Sequence, residues 1–353
     1  MSRRAPKRTG TPELDQLIDQ ILDTSGATAN RDQLFEILAT ASRLAASDVD
    51  RLDLKITNAA LKEMAAAFRV FAPFRQARKV TMFGSARALS NDPLYAQARQ
   101  LATAIARRGW MIVTGAGPGI MAAGMEGAGR DMALGVNIRL PFEQSANAFI
   151  AQDPKLVEMK YFFTRKLMLM KESDGFVVLP GGFGTLDEAF ELLTLLQTGK
   201  AEPAPLVLLD VPGGTYWRAW ERFLADEVEA KGLVSPDDWA LWRITDDVNE
   251  AVDEIMGFYS NYVSSRWVGD VLVLRVSRAP TDEELAELNV QFPDICRHGG
   301  IWLTDPLPVE VAEGDHLDLP RLALRFDRIQ YGRLRELISA INRLKGAEGR
   351  DDA

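Results

Sequence analysis

Short apolar runs alternate with segments of helical spacing from residue 79 onward, and this alternation constrains the fold more than any other feature of the chain. Runs that are apolar along their whole length are typical of parallel strands covered on both faces. The predicted strands are Val80–Phe83, Trp110–Thr114, Leu134–Ile138, Gly175–Leu179 and Leu206–Asp210. The predicted helices are 92–108, 119–130, 161–173, 185–199, 215–231 and 246–264. The sequence therefore predicts a doubly wound α/β domain with a Rossmann-like parallel sheet over residues 79–265.

Two further regions flank this predicted domain. Residues 11–78 contain apolar residues at helical spacing and no strand signal, which predicts a helical N-terminal segment that serves for packing. Residues 266–345 predict a small α+β domain, whose role the sequence does not reveal. Its predicted strands are Val271–Val276, Ile301–Thr304 and Leu322–Phe326, and its predicted helices are Asp282–Phe292 and Tyr331–Leu344. A basic tail at 1–10 and a polar tail at 346–353 are expected to be disordered.

Composition excludes several classes of protein. The net charge of −9 argues against nonspecific nucleic-acid binding, because the chain as a whole does not attract phosphate backbones. The chain has one cysteine, Cys296, so it forms no intramolecular disulfide, which fits a reducing compartment. With only two histidines besides this cysteine, it has too few ligands for a structural zinc site. No apolar run is long enough for a membrane span. We therefore expect a cytoplasmic protein that binds neither nucleic acid nor membrane, and that needs no metal or cofactor.

Two glycine-bearing loops follow predicted strands near the start of the domain. Gly84-Ser85-Ala86-Arg87 offers a hydroxyl and a guanidinium to a phosphate or ribose, although such a turn also serves merely to leave a strand. The loop at 114–121 contains Gly115, Gly117 and Gly119, but their spacing fails the G-x-G-x-x-G dinucleotide fingerprint. No acidic residue closes the next strand, where a ribose-binding carboxylate is expected. A dehydrogenase is therefore disfavoured, while backbone approach to a nucleotide stays plausible.

The third loop, Pro180–Glu188, carries the strongest signal. Glycines at 181, 182 and 184 let the backbone approach a ligand, and the start of the following helix favours an anion. Thr185 adds a hydroxyl donor, and Glu188 lies about one turn into the helix. The alternative is a capping box between Thr185 and Glu188. Upstream, Arg165 and Lys166 either belong to the site or form a solvated charge pair.

These motifs resemble the Lonely Guy (LOG) family. PGGFGTLDE at 180–188 is similar to the family signature PGGxGTxxE, and the Arg165-Lys166 pair is also similar. Further similar stretches are GSAR at 84–87, GPGIM at 117–121, NIRLPFEQSAN at 137–147 and LTLLQTGK at 193–200. The resemblance covers roughly residues 79–264. The chain departs from the family at Ala122, where a glutamate is common, and at Thr114 and Ala116, where many members have glycine.

The resemblance implies hydrolysis of a nucleoside 5′-monophosphate to a free base and ribose 5-phosphate. The substrate would be a purine or pyrimidine nucleotide or a cytokinin riboside 5′-monophosphate, and the enzyme a homo-oligomer that is at least a dimer. It implies that Arg165 and Glu188 are catalytic and that the PGGFGT loop holds the 5′-phosphate. The expected substrate-binding residues are Gly84, Ser85, Gly117, Gly119, Arg165, Lys166, Gly181, Gly182, Phe183, Gly184 and Thr185. Family members were often labelled lysine decarboxylases, but nothing else in the sequence argues for pyridoxal phosphate. Ala122 keeps a second hypothesis open, a nucleotide-binding regulator without catalysis.

Overall fold

A computed structural model describes residues 8–139 and 146–344 of the chain. The tails expected at 1–10 and 346–353 lie outside the described residues, except for residues 8–10. The contacts divide the chain within one long helix, α3 (Arg51–Phe71), so that one unit ends at Lys62 and the other begins at Glu63.

The N-terminal unit contains two further helices, α1 (Pro12–Thr24) and α2 (Arg31–Ala45). They pack through a small apolar cluster of Ile18, Leu22, Phe35 and Ala39. The helical prediction for this segment is confirmed by these three helices, although Leu17, Ile21 and Ile37 are exposed and do not belong to the packed cluster.

The second unit contains a seven-stranded sheet in which every neighbouring pair is parallel. Its strands are β1 (Lys79–Phe83), β2 (Met111–Thr114), β3 (Ala133–Ile138), β4 (Leu156–Met159), β5 (Gly175–Val178), β6 (Leu206–Leu209) and β7 (Arg243–Thr245). The spatial order is β4-β3-β2-β1-β5-β6-β7. The chain winds outward in one direction from β1 and then in the other from β5. The topological switch point, where such sheets bind ligands, therefore lies between β1 and β5.

Helices cover both faces of the parallel sheet, as the fully buried strands require. Their bounds are α4 (Pro93–Ala106), α5 (Ile120–Ala128), α6 (Phe162–Lys171), α7 (Phe183–Gln197), α8 (Tyr216–Phe223) and α9 (Val248–Gly257). One apolar cluster joins one face of the sheet to α6, α7, α8 and the C-terminal part of α3. A second cluster joins the opposite face to α4, α5 and α9. The predicted doubly wound α/β class is confirmed.

A four-stranded antiparallel sheet follows in the same unit, in the order β10-β11-β9-β8. Its strands are β8 (Tyr262–Val268), β9 (Val271–Val276), β10 (Cys296–Thr304) and β11 (Arg321–Phe326). The associated helices are α10 (Asp282–Gln291), α11 (Pro308–Glu313) and α12 (Tyr331–Asn342). The expected boundary between residues 265 and 266 falls inside β8, and the division of this unit into domains stays a prediction.

The predicted helix 246–264 is wrong in its second half. The helix α9 ends at Gly257, and Tyr262 already belongs to β8. The side-chain oxygen of Asn342 accepts the N–H groups of Asn261 and Tyr262, so distant residues stabilise the extended backbone there. Apolar residues continue at helical spacing past Gly257, which explains the error. The short strands β4 and β7 were also not predicted.

The three glycine-bearing loops follow β1, β2 and β5, which are adjacent and parallel. They therefore meet at the carboxyl edge of the sheet. Within the described part of the chain, no helix combines the length and the apolar character needed to cross a membrane.

Candidate active site

A cavity of about 680 Å³ lies at the carboxyl ends of β1 and β5, at the switch point of the sheet. It brings together nine of the predicted site residues, which are Gly84, Ser85, Arg165, Gly181, Gly182, Phe183, Gly184, Thr185 and Glu188. The backbone N–H of Ser85 donates to the carbonyl of Pro180 at 3.2 Å, which holds the first and third loops together. The cavity therefore gathers a guanidinium, a carboxyl and a glycine-rich helix start on one side of the molecule.

The start of α7 forms one wall of this cavity. Its N-cap residue is Gly182, and no side chain caps it among the described residues. The first intrahelical donor is the N–H of Leu186, which bonds the Gly182 carbonyl at 3.1 Å. The N–H groups of the preceding helical residues have no intrahelical partner, and together with the helix dipole they favour an anion.

The alternative interpretation of Glu188 as part of a capping box is excluded by this geometry. The N-cap is Gly182 rather than Thr185, and Thr185 and Glu188 both lie inside α7. Both side chains are nevertheless buried and line the cavity. Glu188 is therefore placed for a role other than holding the end of its helix.

Glu188 is only 6% exposed. Burial raises the pKa of its carboxyl group to about 7, although the positive charges of Arg165 and Lys166 act in the opposite direction. Its Oε2 atom has no hydrogen-bond partner within the described residues. A buried carboxyl oxygen without a partner is costly, and such atoms concentrate at functional sites.

Arg165 reaches the same cavity from the first turn of α6. Its Nε donates to the carbonyl of Val136 at 3.0 Å, and its Nη1 lies 3.9 Å from Glu188 Oε1. The guanidinium lies so close to Gly115 that an added Cβ would overlap Nη2. Gly115 is therefore needed for the close approach of Arg165.

Three predicted binding residues do not line the cavity. The ammonium of Lys166 lies 2.8 Å from Asp187 and 2.5 Å from Glu191, so it joins α6 to α7 instead of facing the cavity. Gly119 has a φ of 66°, and a Cβ there would overlap the backbone of the Gly84–Arg87 loop. Gly117 packs against the side chain of Met121. These residues therefore contact the elements that line the cavity instead of lining it themselves.

The departures from the family pattern also lie away from the cavity. Ala122 belongs to the apolar cluster under α4, α5 and α9, and it is 9% exposed. The Thr114 hydroxyl accepts the N–H of Ala116 at 3.0 Å and so stabilises the second loop internally. Asn147 donates to the carbonyls of Ala116 and Gly117 and holds the same loop. Residues 140–145 of the similar stretch at 137–147 lie outside the described residues.

Some residues of the site were not predicted from the sequence. Phe83, Met121, Ile138 and Phe162 give the cavity an apolar part, and Asp187 lies at its edge. Phe83 and Ile138 end strands of the sheet and Phe162 begins α6, so these positions could have indicated a place in the site. Tyr216 was missed for a different reason, since its hydroxyl acts from α8. It donates to the carbonyl of Gly181 at 2.7 Å and fixes the turn that precedes α7.

Cofactor chemistry can be tested against these residues. Pyridoxal phosphate requires a lysine that forms a Schiff base. No lysine lines the cavity among the described residues, and the nearby Lys166 is held by two carboxylates. The site therefore does not fit pyridoxal phosphate. The described residues also contain no cluster of three or more histidine, cysteine or acidic side chains arranged to hold a metal ion.

The fold and the cavity define an α/β protein in which the glycine-rich start of a helix lies beside a buried acid. The family described as "Possible lysine decarboxylase" matches residues 118–255. A cytokinin riboside 5′-monophosphate phosphoribohydrolase of Mycobacterium tuberculosis is 32% identical over 171 residues, which cover 46% of this chain and 87% of that protein. The chain therefore belongs to the LOG family.

Two further similarities differ in the share of the chain that they cover. An enzyme of the same name from Arabidopsis thaliana is 42% identical over 72 residues, so the matched segment spans 20% of this chain and 32% of that protein. The solved structure of a molybdenum cofactor carrier protein from Chlamydomonas reinhardtii matches 51% of this chain and 96% of that chain, with 21% identity and a TM-score of 0.36.

Proposed function

We propose that this protein hydrolyses the N-glycosidic bond of a nucleoside 5′-monophosphate and releases the free base and ribose 5-phosphate. The observation that carries the proposal is the position of Glu188. Its buried carboxyl group, with a pKa near 7, lines the same cavity as the uncapped start of α7. The named activity of the LOG relative from M. tuberculosis supports the same reaction.

The start of α7 would bind the 5′-phosphate. Its free N–H groups and the Thr185 hydroxyl suit a phosphate dianion, and Ser85 and Arg87 face the same space from the loop after β1. This contact is remote from the bond that breaks. Binding at the phosphate therefore orients the ribose and supplies energy for the reaction at C1′.

Glu188 would act at the ribose. As the C1′–N bond breaks, its electron pair leaves with the base and the ribose becomes positively charged. The ionised carboxylate stabilises this charge and orients a water molecule, by analogy with glycoside hydrolysis. The water oxygen bonds to C1′, and a proton from that water ends on the departing base. Arg165, whose guanidinium lies 3.9 Å from Glu188, would hold the substrate or balance charge on the base.

A homo-oligomer is part of this proposal. Exposed apolar side chains lie together on neighbouring helices, Phe163 and Leu167 on α6 and Phe183 and Phe190 on α7. Lys166 joins the two helices through Asp187 and Glu191, and Phe183 also lines the cavity. Burying such a surface against a second copy is favourable. A particle no larger than one chain in light scattering at micromolar concentration would contradict this part. The cytoplasmic location stays a prediction from the sequence.

The test is product analysis with a panel of nucleoside monophosphates. Chromatography should show free base and ribose 5-phosphate from at least one of AMP, CMP, GMP, UMP and a cytokinin riboside 5′-monophosphate, and much slower release from the matching nucleoside. Comparable turnover of AMP and adenosine would contradict the role of α7 in phosphate binding. Binding of the nucleotides without any base release would favour the regulator hypothesis.

A further inference from the structure

The helix α3 places a carboxylate at the start of α6. Glu63 Oε1 accepts the N–H of Lys160 at 2.9 Å, and Oε2 accepts the N–H of Tyr161 at 3.4 Å. Oε2 also accepts the hydroxyl of Thr164 at 2.6 Å. Thr164 is fully buried. Three donors around the first turn of α6 therefore converge on one side chain that lies about a hundred residues earlier in the chain.

The start of α6 depends on this contact because its own sequence provides no cap. The N-cap residue is Tyr161, whose phenol makes no capping bond. Serine, threonine, aspartate and asparagine normally supply the missing oxygen, and their loss destabilises the end of a helix. A carboxylate at a helix N-terminus also interacts favourably with the helix dipole. Glu63 supplies this charge from another helix, and it accepts the N–H groups of the N-cap residue Tyr161 and of Lys160 before it.

The contact matters for the site because Arg165 follows Thr164 directly. The N–H of Arg165 bonds the carbonyl of Tyr161 at 3.3 Å, in the same turn that Glu63 holds. The rest of α3 near Glu63 is anchored, since Ala67 and Phe71 are buried in the cluster that also contains Met168 and Leu169 of α6. The C-terminal part of α3 is therefore packed against the helix from which the guanidinium projects.

We propose that Glu63 is a positioning residue, which sets the place of Arg165 relative to Glu188. The inference rests on the proposed function of Arg165. It gives the C-terminal part of α3 a function, although Glu63 precedes the stretch 118–255 that matches the family. Glu63 does not touch the cavity, so its effect must pass through α6.

The experiment is a double-mutant cycle on the full chain. Glu63→Ala should lower kcat for the best nucleoside monophosphate about tenfold, with a smaller change in KM because the phosphate is held by α7. Glu63→Gln, which keeps one acceptor oxygen, should retain more activity than Glu63→Ala. In an Arg165→Ala background, Glu63→Ala should change kcat less than twofold, because residues that act through one group are not additive. Glu287→Ala, an exposed glutamate on α10, is the matched control and should behave as the wild type.

Hydrogen exchange measured by mass spectrometry is an independent readout. Glu63→Ala should speed exchange in a peptide that contains residues 161–167 and leave the peptide from α7 unchanged. Equal kcat losses from Glu63→Ala with and without Arg165, or unchanged exchange at 161–167, would overturn the inference. If the wild type releases no base at all, the proposed function fails, and the exchange measurement still decides whether Glu63 holds α6.

Discussion

The guanidinium of Arg165 lies against Gly115, and a single methyl group at position 115 would occupy the place of Nη2. This contact joins the loop after β2 to the first turn of α6. The space left by Gly115 lets the guanidinium lie there, with its Nη1 3.9 Å from Glu188 Oε1. The second glycine loop therefore serves the site through Arg165, while the family resemblance alone implied direct substrate contact.

Gly115→Ala should reduce base release much more than it reduces stability. The overlapping atom is the end of a flexible side chain, so the guanidinium can move away at little cost in folding. A displacement of about 1 Å at a catalytic group can lower a rate on the order of 100-fold. The measurement is kcat beside the thermal unfolding midpoint. Gly182→Ala is the comparison variant, because no atom lies within 4 Å of a Cβ added there. Its kcat shows the effect of a methyl group at the cavity wall when Arg165 is not displaced.

Tyr216→Phe should weaken phosphate binding. The substitution removes the donor to the Gly181 carbonyl and frees the turn that precedes α7. Loss of one hydrogen bond of this kind costs about 1 kcal/mol, which corresponds to about a fivefold increase in the dissociation constant of ribose 5-phosphate. Calorimetric titration with ribose 5-phosphate measures this dissociation constant. Tyr331→Phe on α12 is the control, and an equal effect of both variants would refute a specific role for Tyr216.

The rate should rise with pH around neutrality, because the mechanism needs ionised Glu188 and its pKa is about 7. Arg165 lowers this pKa, so Arg165→Ala should raise it and move the midpoint of the kcat/KM profile to higher pH. Arg107→Ala, at an exposed arginine that follows α4, should leave the midpoint in place. A profile that falls between pH 6 and 8 would mean that Glu188 acts in its protonated form.

Ionisation of Glu188 should also lower the free energy of unfolding at high pH. Its pKa in the folded state, about 7, is above its ordinary value of 4.5, so the folded state holds this proton more tightly than the unfolded state. The resulting stability is present below about pH 4.5 and is lost as the pH rises to 7 and beyond. Glu188→Gln should therefore stabilise the protein relative to the wild type by on the order of 2 kcal/mol more at pH 8 than at pH 5. Denaturant unfolding at the two pH values measures this difference, and an equal effect at both would show that the pKa is not raised.

The parallel sheet could be predicted from the sequence because its strands are apolar along their whole length and are separated by helical spacing. The boundary near residue 257 could not, since the start of β8 depends on Asn342, about eighty residues further along. The strands β4 and β7 lie at the two edges of the sheet and are only four and three residues long, and each contains a charged residue that interrupts the apolar run.

The site was predictable where its chemistry is local. The PGGFGT loop and Glu188 share one strand–loop–helix segment, so the sequence places them together. The partners of Lys166 could not be deduced, because a lysine after an arginine fits a phosphate site as well as a pair of carboxylates on α7. Glu63 and Tyr216 act from distant helices and carry no motif.

The most direct test of the central claim compares wild type and Glu188→Gln in base release from the best nucleoside monophosphate. Glutamine keeps the shape of glutamate but loses the charge that faces the developing positive charge on the ribose. We predict a loss of about 10²- to 10³-fold in kcat, with the affinity for ribose 5-phosphate largely unchanged. Base release by Glu188→Gln at the wild-type rate would contradict the catalytic role of Glu188.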